Sequence, residues 1–280
     1  MAKLTPPLPR HPAVSLAQAE LTALQSFLRE LLLAAGPRTL AHFRRPIEVV
    51  DKRAGNGGYD PVTEADREAE HVIRELIRAR HPEHGAYGEE HGFEPGNSGL
   101  TWVIDPIDGT RAFITGQLHW GILIGLYDGE KVVLGGMHQP FTGELFIGGP
   151  SGASLEQAGM RTRLRTRECA SLDQAVLCCT TPDMFEAPDE QRAFTRLEQR
   201  VRLRRFGGDC YSYCMLAHGL VDLVVESDLA PYDVHGLIPV VEGAGGLFTD
   251  WQGNPAVDGG RVVVAGDARL HAAALAVLNA

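Results

Sequence analysis

The fold is decided by the stretch Trp102-Val103-Ile104-Asp105-Pro106-Ile107-Asp108-Gly109-Thr110. Its apolar beginning is typical of a short buried strand. We expect this strand to end at Asp105, because Pro106 has no N–H group to donate to a neighbouring strand. The sequence therefore predicts a strand that delivers a carboxylate to the mouth of a turn.

Two carboxylates and a carbonyl group are crowded into that turn. Asp105 and Asp108 stand three residues apart, and two such acids at the end of an apolar strand repel one another unless something cationic lies near them. Crowded oxygen atoms suit a hard divalent cation such as Mg2+. Bare N–H groups at a glycine-containing turn before a helix suit a phosphate oxygen. A metal beside a phosphate site indicates phosphoryl chemistry.

Composition argues against several classes of function. The chain has 280 residues, of which 44% are hydrophobic, so it can bury a large core as one domain or as two halves. Its net charge of -10, with no basic block, argues against a nucleic-acid surface. No apolar run approaches the roughly 18 residues of a membrane helix, and the first residues contain no apolar signal core. We therefore expect a cytoplasmic protein with neither a membrane nor a nucleic acid as its partner.

The cysteines and histidines give no sign of a metal site of their own. Five cysteines, an odd number without C-x-x-C spacing, indicate reduced and mostly buried thiols. Cys210 and Cys214 would share one face of a helix, but a zinc site there needs two more ligands that we do not find, so core packing is the better interpretation. The histidines lack H-x-x-x-H spacing and are interpreted as surface or core residues.

The chain divides into a Pro-rich and loose N-terminal arm (residues 1–14), an α+β half (residues 15–150) and an α/β half (residues 151–280). The α/β half alternates between strands and helices. Its predicted helices lie near residues 189–200, 209–219, 233–243 and 267–278, and its predicted strands near residues 174–180, 202–206, 221–225 and 262–265.

Helical and strand signals also organise the first half. Ser15 begins a possible capping box with Gln18, ahead of a helix whose leucine stripe is core. Residues 51–60 are rich in glycine and predict a mobile loop. A second helix is predicted over residues 63–80 and a β-meander over residues 118–149.

Four separate segments bring acidic residues to loop positions after apolar or helical runs. Together, and in this order, they resemble the inositol monophosphatase family, in the superfamily of magnesium-dependent, lithium-sensitive phosphatases. The resemblance implies a layered αβαβα sandwich of the inositol monophosphatase/fructose bisphosphatase type, mixing α+β and α/β parts, and a homodimer that hydrolyses a small-molecule phosphate monoester. The segments are Asp60-Pro61-Val62-Thr63-Glu64-Ala65-Asp66, Gly88-Glu89-Glu90, the turn from Asp105 to Thr110, and Pro231-Tyr232-Asp233 ahead of Glu242-Gly243-Ala244-Gly245-Gly246.

The resemblance also implies roles for single residues. A metal-activated water would attack phosphorus in line, without a phospho-enzyme, and two or three Mg2+ ions would reverse the local charge that repels a phosphate dianion. Thr110 and Glu89 would orient the water, and Asp66 would accept a hydrogen bond from Thr110. The N–H groups of Gly109 and Thr110 would hold phosphate oxygens. The implied metal ligands are Glu89, Asp105, Asp108, Asp233 and the carbonyl of Ile107.

Some of these acids also have a structural interpretation. Asp66 stands three residues after Thr63, so the pair could form a capping box, which is compatible with a catalytic role. Asp233 could be the N-cap of the helix that follows it. Glu90 is interpreted as solvated or as a neighbour of the ligand set.

Several departures from the inositol phosphatases themselves resemble the histidinol-phosphatase branch, whose members make histidinol in histidine biosynthesis. Tyr232 stands where inositol phosphatases usually have tryptophan, and the segment after residue 241 carries an extra glycine. The remaining departures are Arg111-Ala112-Phe113-Ile114-Thr115-Gly116, Gly136-Met137-His138-Gln139-Pro140 and Phe206-Gly207-Gly208-Asp209-Cys210-Tyr211.

A charge argument points to the same branch. Histidinol phosphate carries an ammonium and an imidazole group, and by register with the family Asp209 and Glu226 face the organic half of the substrate. A carboxylate at Asp209 suits an ammonium ion and gives a neutral polyol no charge pairing. The alternative is that Asp209 caps the helix that begins there.

Two other functions stay open. The chain could act on inositol phosphate, a nucleotide 3′-phosphate or a sugar phosphate, or it could be a non-catalytic binding relative, although every implied ligand is present. Lys52 is the candidate for a lysine that family members carry before the first acidic segment. Because glycine insertions blur this register, the role of the loop over residues 51–60 in closing the site or binding a third ion stays open.

Overall fold

Two large sheets and the helices packed on them make up the computed structural model, which describes residues 8–51 and 61–280. None of the described helices is long and apolar enough to cross a bilayer. The α-helices in these ranges are α1 (Gln18–His42), α2 (Glu64–Arg80), α3 (Thr110–Ile114), α4 (Pro188–Glu198), α5 (Asp209–Ala217), α6 (Pro231–His235), α7 (Ile238–Gly243) and α8 (Ala268–Leu278).

The strands of the described ranges form the two large sheets and one short pair. They are β1 (Val50–Asp51), β2 (Pro61–Val62), β3 (Gly85–Gly88), β4 (Gly92–Glu94), β5 (Thr101–Asp108), β6 (Gly121–Tyr127), β7 (Val132–Gln139), β8 (Glu144–Gly149), β9 (Gly152–Gln157), β10 (Met160–Arg163), β11 (Val176–Cys179), β12 (Leu203–Phe206), β13 (Leu223–Leu229), β14 (Leu247–Asp250) and β15 (Gly260–Ala265).

The larger sheet has eight strands in the order β10-β9-β8-β7-β6-β5-β3-β4. From β5 to β10 each strand pairs antiparallel with the next, whereas β3 and β5 are parallel. The predicted meander over residues 118–149 is confirmed, and β9 and β10 continue it beyond the predicted end. The division of the chain at residue 150 stays a prediction.

The smaller sheet has five strands in the order β12-β11-β13-β15-β14. Strand β11 pairs in parallel with β12 and with β13. The carboxyl ends of these three strands therefore lie at one edge of the sheet, and α5 and α6 begin shortly after that edge. This is the edge at which sites form in open α/β sheets.

The helices form three layers around the two sheets. Helices α1 and α2 pack on one face of the larger sheet around Leu28, Leu31 and Trp102. Helices α5 and α7 lie between the sheets and bury residues of both, and α4 and α8 cover the outer face of the smaller sheet. This is the predicted αβαβα sandwich.

Strand β5 does not end where the sequence predicts. It continues through Pro106 to Asp108, and its pairing with β6 shifts between Asp105, opposite Leu123, and Asp108, opposite Gly121. One extra residue is thus accommodated in a bulge. The prediction that Pro106 ends the strand is wrong, because a bulged residue needs no N–H group for the ladder.

Residues 8–14 pack on the body of the protein instead of forming a loose arm. The side chain of Leu8 is 2% exposed. The N–H groups of His11 and Val14 donate to the carbonyls of Gly129 and Asp128 at 3.3 and 3.0 Å. The predicted loose arm is therefore wrong for these residues, while residues 1–7 lie outside the described ranges.

Helix α1 begins later than its predicted capping box. Its N-cap is Ala17, whose N–H donates to Glu20 Oε2 at 2.9 Å. The prediction that Ser15 and Gln18 form the box is wrong, because Glu20 supplies the acceptor at the position three residues after the N-cap.

The single helix predicted over residues 233–243 is two helices, α6 and α7, because Pro239 has no N–H to donate to the carbonyl of His235. Strand β14 was not predicted, since it is short and follows a pair of glycines. Of the predicted mobile loop, residues 52–60 lie outside the described ranges, including Lys52 and Asp60.

All five cysteines are free and buried. Cys210 and Cys214 belong to the core between the two sheets. This confirms the prediction of core packing for the pair.

Three glycines on neighbouring strands form a groove in the larger sheet. Gly125 lies opposite Gly135, and Gly135 lies opposite Gly148. A Cβ atom on Gly148 would lie 2.1 Å from the Pro239 carbonyl oxygen, and one on Gly125 or Gly135 would lie 2.6 or 2.7 Å from the His235 carbonyl oxygen. The segment that joins α6 to α7 therefore packs against the sheet backbone to backbone.

We expect Gly148→Ala to destabilise the protein, because the added methyl group meets main-chain atoms of Pro239 that cannot rotate away. Overpacking of this kind costs about 1–3 kcal/mol, which thermal unfolding reports as a lower Tm. Gly149→Ala is the matched control, since its Cβ meets first the Cδ2 atom of Leu134 at 2.7 Å, the end of a rotatable side chain. Equal Tm values for the two variants would contradict the tight packing of the groove.

Candidate active site

Three carboxylates converge at the end of β5. Asp105 and Asp108 flank the bulge of that strand, and Asp233 lies on α6. One oxygen atom of each lies within 4.8 Å of the others. The structure thus brings together three of the predicted metal ligands, two from the end of β5 and one from α6, which is far away in the sequence.

Each of these carboxylates is oriented by a backbone N–H group. The three donors belong to different elements. Ile107 N–H donates to Asp105 Oδ1 at 3.0 Å, Cys210 N–H to Asp108 Oδ2 at 2.7 Å and Ala230 N–H to Asp233 Oδ2 at 2.6 Å.

The charges of this site suit a divalent cation. Burial raises the pKa of Asp108 well above its usual range, and the negative charges of Asp209 and Asp233 raise it further. A cation bound among the carboxylates would offset this repulsion. Because the donors are oxygen atoms, the set fits a hard divalent metal ion.

Asp233 combines the structural and the functional interpretation. It is the third residue of α6, and its carboxylate reaches back to the N–H of Ala230, the N-cap residue. The prediction that Asp233 is itself the N-cap is therefore wrong, although it does help to cap the helix. One oxygen of its carboxylate also belongs to the acidic cluster.

Glu89 stands in the turn after β3. Because β3 and β5 are parallel, with Gly88 opposite Ile104, Glu89 leaves its strand beside Asp105. Its N–H donates to the Ile104 carbonyl at 3.2 Å. Its carboxylate is not among the three grouped oxygen atoms, so its roles as a metal ligand and in orienting water stay predictions.

The structure gives Thr110 and Asp66 separate partners. Thr110 Oγ1 donates to the Ile107 carbonyl at 3.0 Å. Asp66 Oδ2 accepts from the N–H and the hydroxyl of Thr63, at 2.8 and 2.7 Å, so the predicted contact between the start of α2 and Asp66 is confirmed. A hydroxyl has one proton to donate, and a metal ion on the Ile107 carbonyl would compete for the acceptor that Thr110 now uses. The catalytic roles of Thr110 and Asp66 stay predictions.

Gly109 is required at the start of α3. Its φ is +83°, and a Cβ atom there would lie 2.5 Å from the His119 carbonyl oxygen. Helix α3 begins at Thr110, and the first N–H groups of a helix have no carbonyl partner within it. This geometry suits the predicted contacts from Gly109 and Thr110 to phosphate, which stay predictions.

Asp209 carries a carboxylate without a partner in the described ranges, where it forms no hydrogen bond or ion pair. It is the first residue of α5, with a φ of +42°, and the N-cap is Gly208. The alternative that Asp209 caps this helix is therefore wrong. Burial and the charge of Glu226 raise the pKa of Asp209 to about 7, although the charge of Arg111 lowers it.

Glu226 lies in β13 with both carboxylate oxygens engaged. Its side chain is buried, and it accepts from Thr180 N–H and from the Tyr213 hydroxyl, each at 2.7 Å. Burial raises its pKa. Glu226 therefore ties the end of β11 to α5 behind Asp209, and its contact with substrate stays a prediction.

Sequence reasoning missed Glu70 and Arg74 on α2. Both side chains are buried, and Arg74 Nε donates to Glu70 Oε1 at 2.7 Å. Glu70 also accepts from Glu90 N–H at 2.8 Å, behind the turn that carries Glu89. The signal in the sequence was an acid and a base four residues apart on the apolar side of a helix, where uncharged residues are the usual choice.

A second group of possible metal ligands lies near the end of α2, formed by His81, Glu83 and His84. Trp102 Nε1 donates to His84 Nδ1 at 3.0 Å, so neutral His84 carries its proton on Nε2. That is the nitrogen 3.4 Å from Glu83. Because a protonated nitrogen cannot bind a metal ion, this group does not fit one.

The raised pKa of Asp209 predicts a pH-dependent stability difference. In the folded protein this carboxyl has a pKa of about 7, whereas the usual pKa of aspartate in an unfolded chain is 3.8. Between these values the folded state binds more protons, so the contribution of Asp209 to stability falls as the pH rises. We expect the Tm of Asp209→Asn minus that of the wild type, measured with chelator, to increase from pH 4 to pH 7 and then level off. The exposed Asp173→Asn is the control, and a flat difference for Asp209→Asn would contradict the assignment.

Comparison with known proteins agrees with this geometry. Residues 20–280 match the model of the Inositol monophosphatase family. The chain is 38% identical over 280 residues to Bifunctional phosphatase IMPL2, chloroplastic, of Arabidopsis thaliana, with 94% of this chain and 77% of the relative covered. It is 36% identical over 242 residues to Histidinol-phosphatase of Chlorobaculum parvum, with 85% and 90% covered.

A solved structure of an inositol monophosphatase from Zymomonas mobilis has the same fold. It matches with a TM-score of 0.81 and 36% identity, over 92% of this chain and 98% of that one. The family match, the curated relatives and the shared fold agree along nearly the whole sequence. The chain belongs to the inositol monophosphatase family and is a phosphoric monoester hydrolase.

Proposed function

We propose that this protein is a magnesium-dependent histidinol-phosphatase, which converts L-histidinol phosphate and water into L-histidinol and phosphate. The observation that carries the proposal is the carboxylate of Asp209, which is half-buried, close to Asp108, and without a hydrogen bond or ion pair in the described ranges. A half-buried carboxylate without a hydrogen bond is stabilised when a cation pairs with it. The ammonium group of histidinol phosphate is such a cation.

The charge of Asp209 distinguishes between substrates. A charge-assisted hydrogen bond to an ammonium group contributes about 1.5–3 kcal/mol. A neutral polyol offers hydroxyl groups but no charge to Asp209. The backbone strain at Asp209, whose φ is +42°, also agrees with a functional position.

The residues of the acidic site would divide the reaction between them. When bound, divalent cations would neutralise the phosphate dianion and activate a water for in-line attack. Asp105, Asp108 and Asp233 would bind these ions, with Glu89 and the carbonyl of Ile107. Thr110 and Glu89 would orient the water, Asp66 would accept the Thr110 hydroxyl proton in a hydrogen bond, and the N–H groups of Gly109 and Thr110 would bind phosphate oxygens.

We infer that the ions are two or three Mg2+, that the substrate partner is a small phosphate monoester, and that the protein acts as a cytoplasmic homodimer. Glu226 would face the organic half of the substrate, beside Tyr213, whose hydroxyl donates a hydrogen bond to Glu226 Oε2.

Inositol phosphate is the second candidate substrate. It is favoured by the solved inositol monophosphatase of Zymomonas mobilis, which is as similar in sequence, at 36% identity, as the histidinol-phosphatase of Chlorobaculum parvum. Since much of the binding of any phosphate monoester comes from metal and phosphate contacts, the organic half of the pocket decides between the two.

The direct test measures phosphate release from L-histidinol phosphate and from myo-inositol 1-phosphate, side by side, with Mg2+ and with chelator. We expect a higher kcat/KM for histidinol phosphate, no activity with chelator and recovery when Mg2+ is restored. Asp105→Asn serves as the inactive control, because it removes a charged ligand of the cluster. A preference for inositol phosphate, or equal rates, would overturn the substrate assignment.

Asp209→Asn should change substrate preference more than catalysis. We expect kcat/KM for histidinol phosphate to fall about tenfold or more, because a charge-assisted contact of about 1.5–3 kcal/mol is lost. For myo-inositol 1-phosphate we expect little change, since no charge pairs with Asp209 there. Asp173→Asn is again the exposed control, and equal losses on both substrates would show that Asp209 does not recognise the ammonium group.

A further inference from the structure

Glu70 lies on the buried side of α2, one turn after Asp66, and contacts the turn that carries Glu89. Its side chain is completely buried. Its Oε2 accepts from Glu90 N–H at 2.8 Å, and its Oε1 accepts from His91 N–H at 3.3 Å. The carboxylate therefore binds the backbone directly after Glu89.

Arg74 extends this contact to the strand beyond the turn. Its Nε donates to Glu70 Oε1 at 2.7 Å, and its Nη2 donates to the Gly92 carbonyl at 2.5 Å. The Arg74 side chain is also buried, so its charge and that of Glu70 neutralise each other away from water. The pair thus connects α2 to the turn and to the first residue of β4.

The close approach of Glu70 depends on Gly88. A Cβ atom on Gly88 would lie 2.0 Å from Glu70 Oε1, far inside contact distance. Since the φ of Gly88 is not in the left-handed region, the need for glycine here comes from the space that the carboxylate occupies. The backbone before and after Glu89 is thus shaped around Glu70.

Glu89 is fixed on its other side by the sheet. Its N–H donates to the Ile104 carbonyl at 3.2 Å, next to Asp105. The main chain of Glu89 therefore lies between two anchors, β5 on one side and Glu70 on the other. Small displacements matter for a metal ligand, since ligands must lie within a few tenths of an ångström of their proper distance.

We propose that the buried Glu70–Arg74 pair is a positioning device that sets Glu89 for metal binding. The inference rests on the proposed role of Glu89 as a metal ligand and adds the residues that place it. The contacts of Glu70 are with Arg74 and with the turn after β3, so we infer that it acts through the turn. Outer partners of metal ligands change metal affinity by about 10–100-fold when they are replaced.

The first test measures Mn2+ affinity by calorimetry on the full chain, without substrate. Glu70→Gln keeps the shape of the side chain but brings an amide NH2 group to a place where Arg74 Nε and the N–H groups of Glu90 and His91 all donate. We expect Mn2+ binding to weaken about tenfold. Glu75→Gln, on the exposed side of the same helix and paired with Arg78, is the matched control and should bind Mn2+ as the wild type does. Unchanged affinity in Glu70→Gln would overturn the inference.

A double-mutant cycle with Glu89→Gln separates positioning from a general loss of structure. If Glu70 acts through Glu89, then Glu70→Gln should cost almost no further Mn2+ affinity once Glu89 has been replaced. A second tenfold loss in that background would show a merely structural effect and would contradict the proposal. If Glu70→Gln does not fold, Arg74→Lys replaces it in the same cycle, since it keeps the charge but loses the forked contact to Glu70 and Gly92.

Kinetics distinguishes this inference from the proposed function. In Glu70→Gln we expect the Mg2+ concentration for half-maximal activity to rise by a similar factor, with the KM for substrate at saturating Mg2+ little changed. Wild-type protein that binds Mn2+ but does not hydrolyse histidinol phosphate would refute the proposed substrate and leave the positioning role intact. Wild-type hydrolysis of histidinol phosphate, together with an unchanged Mg2+ dependence in Glu70→Gln, would refute the positioning role and leave the proposed substrate intact.

Discussion

Mutual repulsion of three carboxylates within 4.8 Å of one another is the constraint on which the rest of this structure depends. Like charges at such distances raise the free energy of the folded protein until a cation offsets them. The chain resists their separation with backbone N–H groups, which carry no net charge and cannot swing away as side chains can. The donors belong to the bulge of β5 and to the starts of α5 and α6. The site is therefore a junction of three elements, and its geometry is set by how the middle helices pack on the larger sheet.

Two backbone features make that junction possible. The extra residue at Pro106 lets β5 continue while both Asp105 and Asp108 reach the site. The groove formed by Gly125, Gly135 and Gly148 lets the chain after Asp233 pack directly on the sheet. Neither feature touches a substrate. The bulge sets the spacing of two residues within one strand, and the groove sets the distance between a strand and a helix. Because the backbone fixes both distances, it also fixes the positions of the carboxylates.

The sequence predicted what depends on local signals and missed what depends on distant partners. The meander and the contact from Asp66 to the start of α2 follow from neighbours in the chain, and the structure agrees with them. The bulge at Pro106 could not be predicted, because it is defined by pairing with β6. The contact from Cys210 to Asp108 joins residues 102 positions apart. The contact from Glu90 N–H to the buried Glu70 joins residues 20 positions apart, so local sequence does not reveal it either. The catalytic roles of Glu89, Thr110 and Asp66 go beyond what their positions alone establish.

The carboxylates of this site differ in their hydrogen-bond partners. The three grouped acids each have a backbone donor, whereas Asp209 has no partner in the described ranges. Its side chain can therefore change without removing a hydrogen bond from the acidic cluster, although its charge acts on Asp108. Its backbone cannot change in the same way, because the next residue, Cys210, supplies the N–H that orients Asp108. A φ of +42° at Asp209 also restricts the position, since aspartate, asparagine and glycine tolerate this region better than bulky or β-branched residues do. The choice at this position is thus narrow, between aspartate, asparagine and glycine, and under the proposed function each of these would suit a different organic group on the phosphate ester.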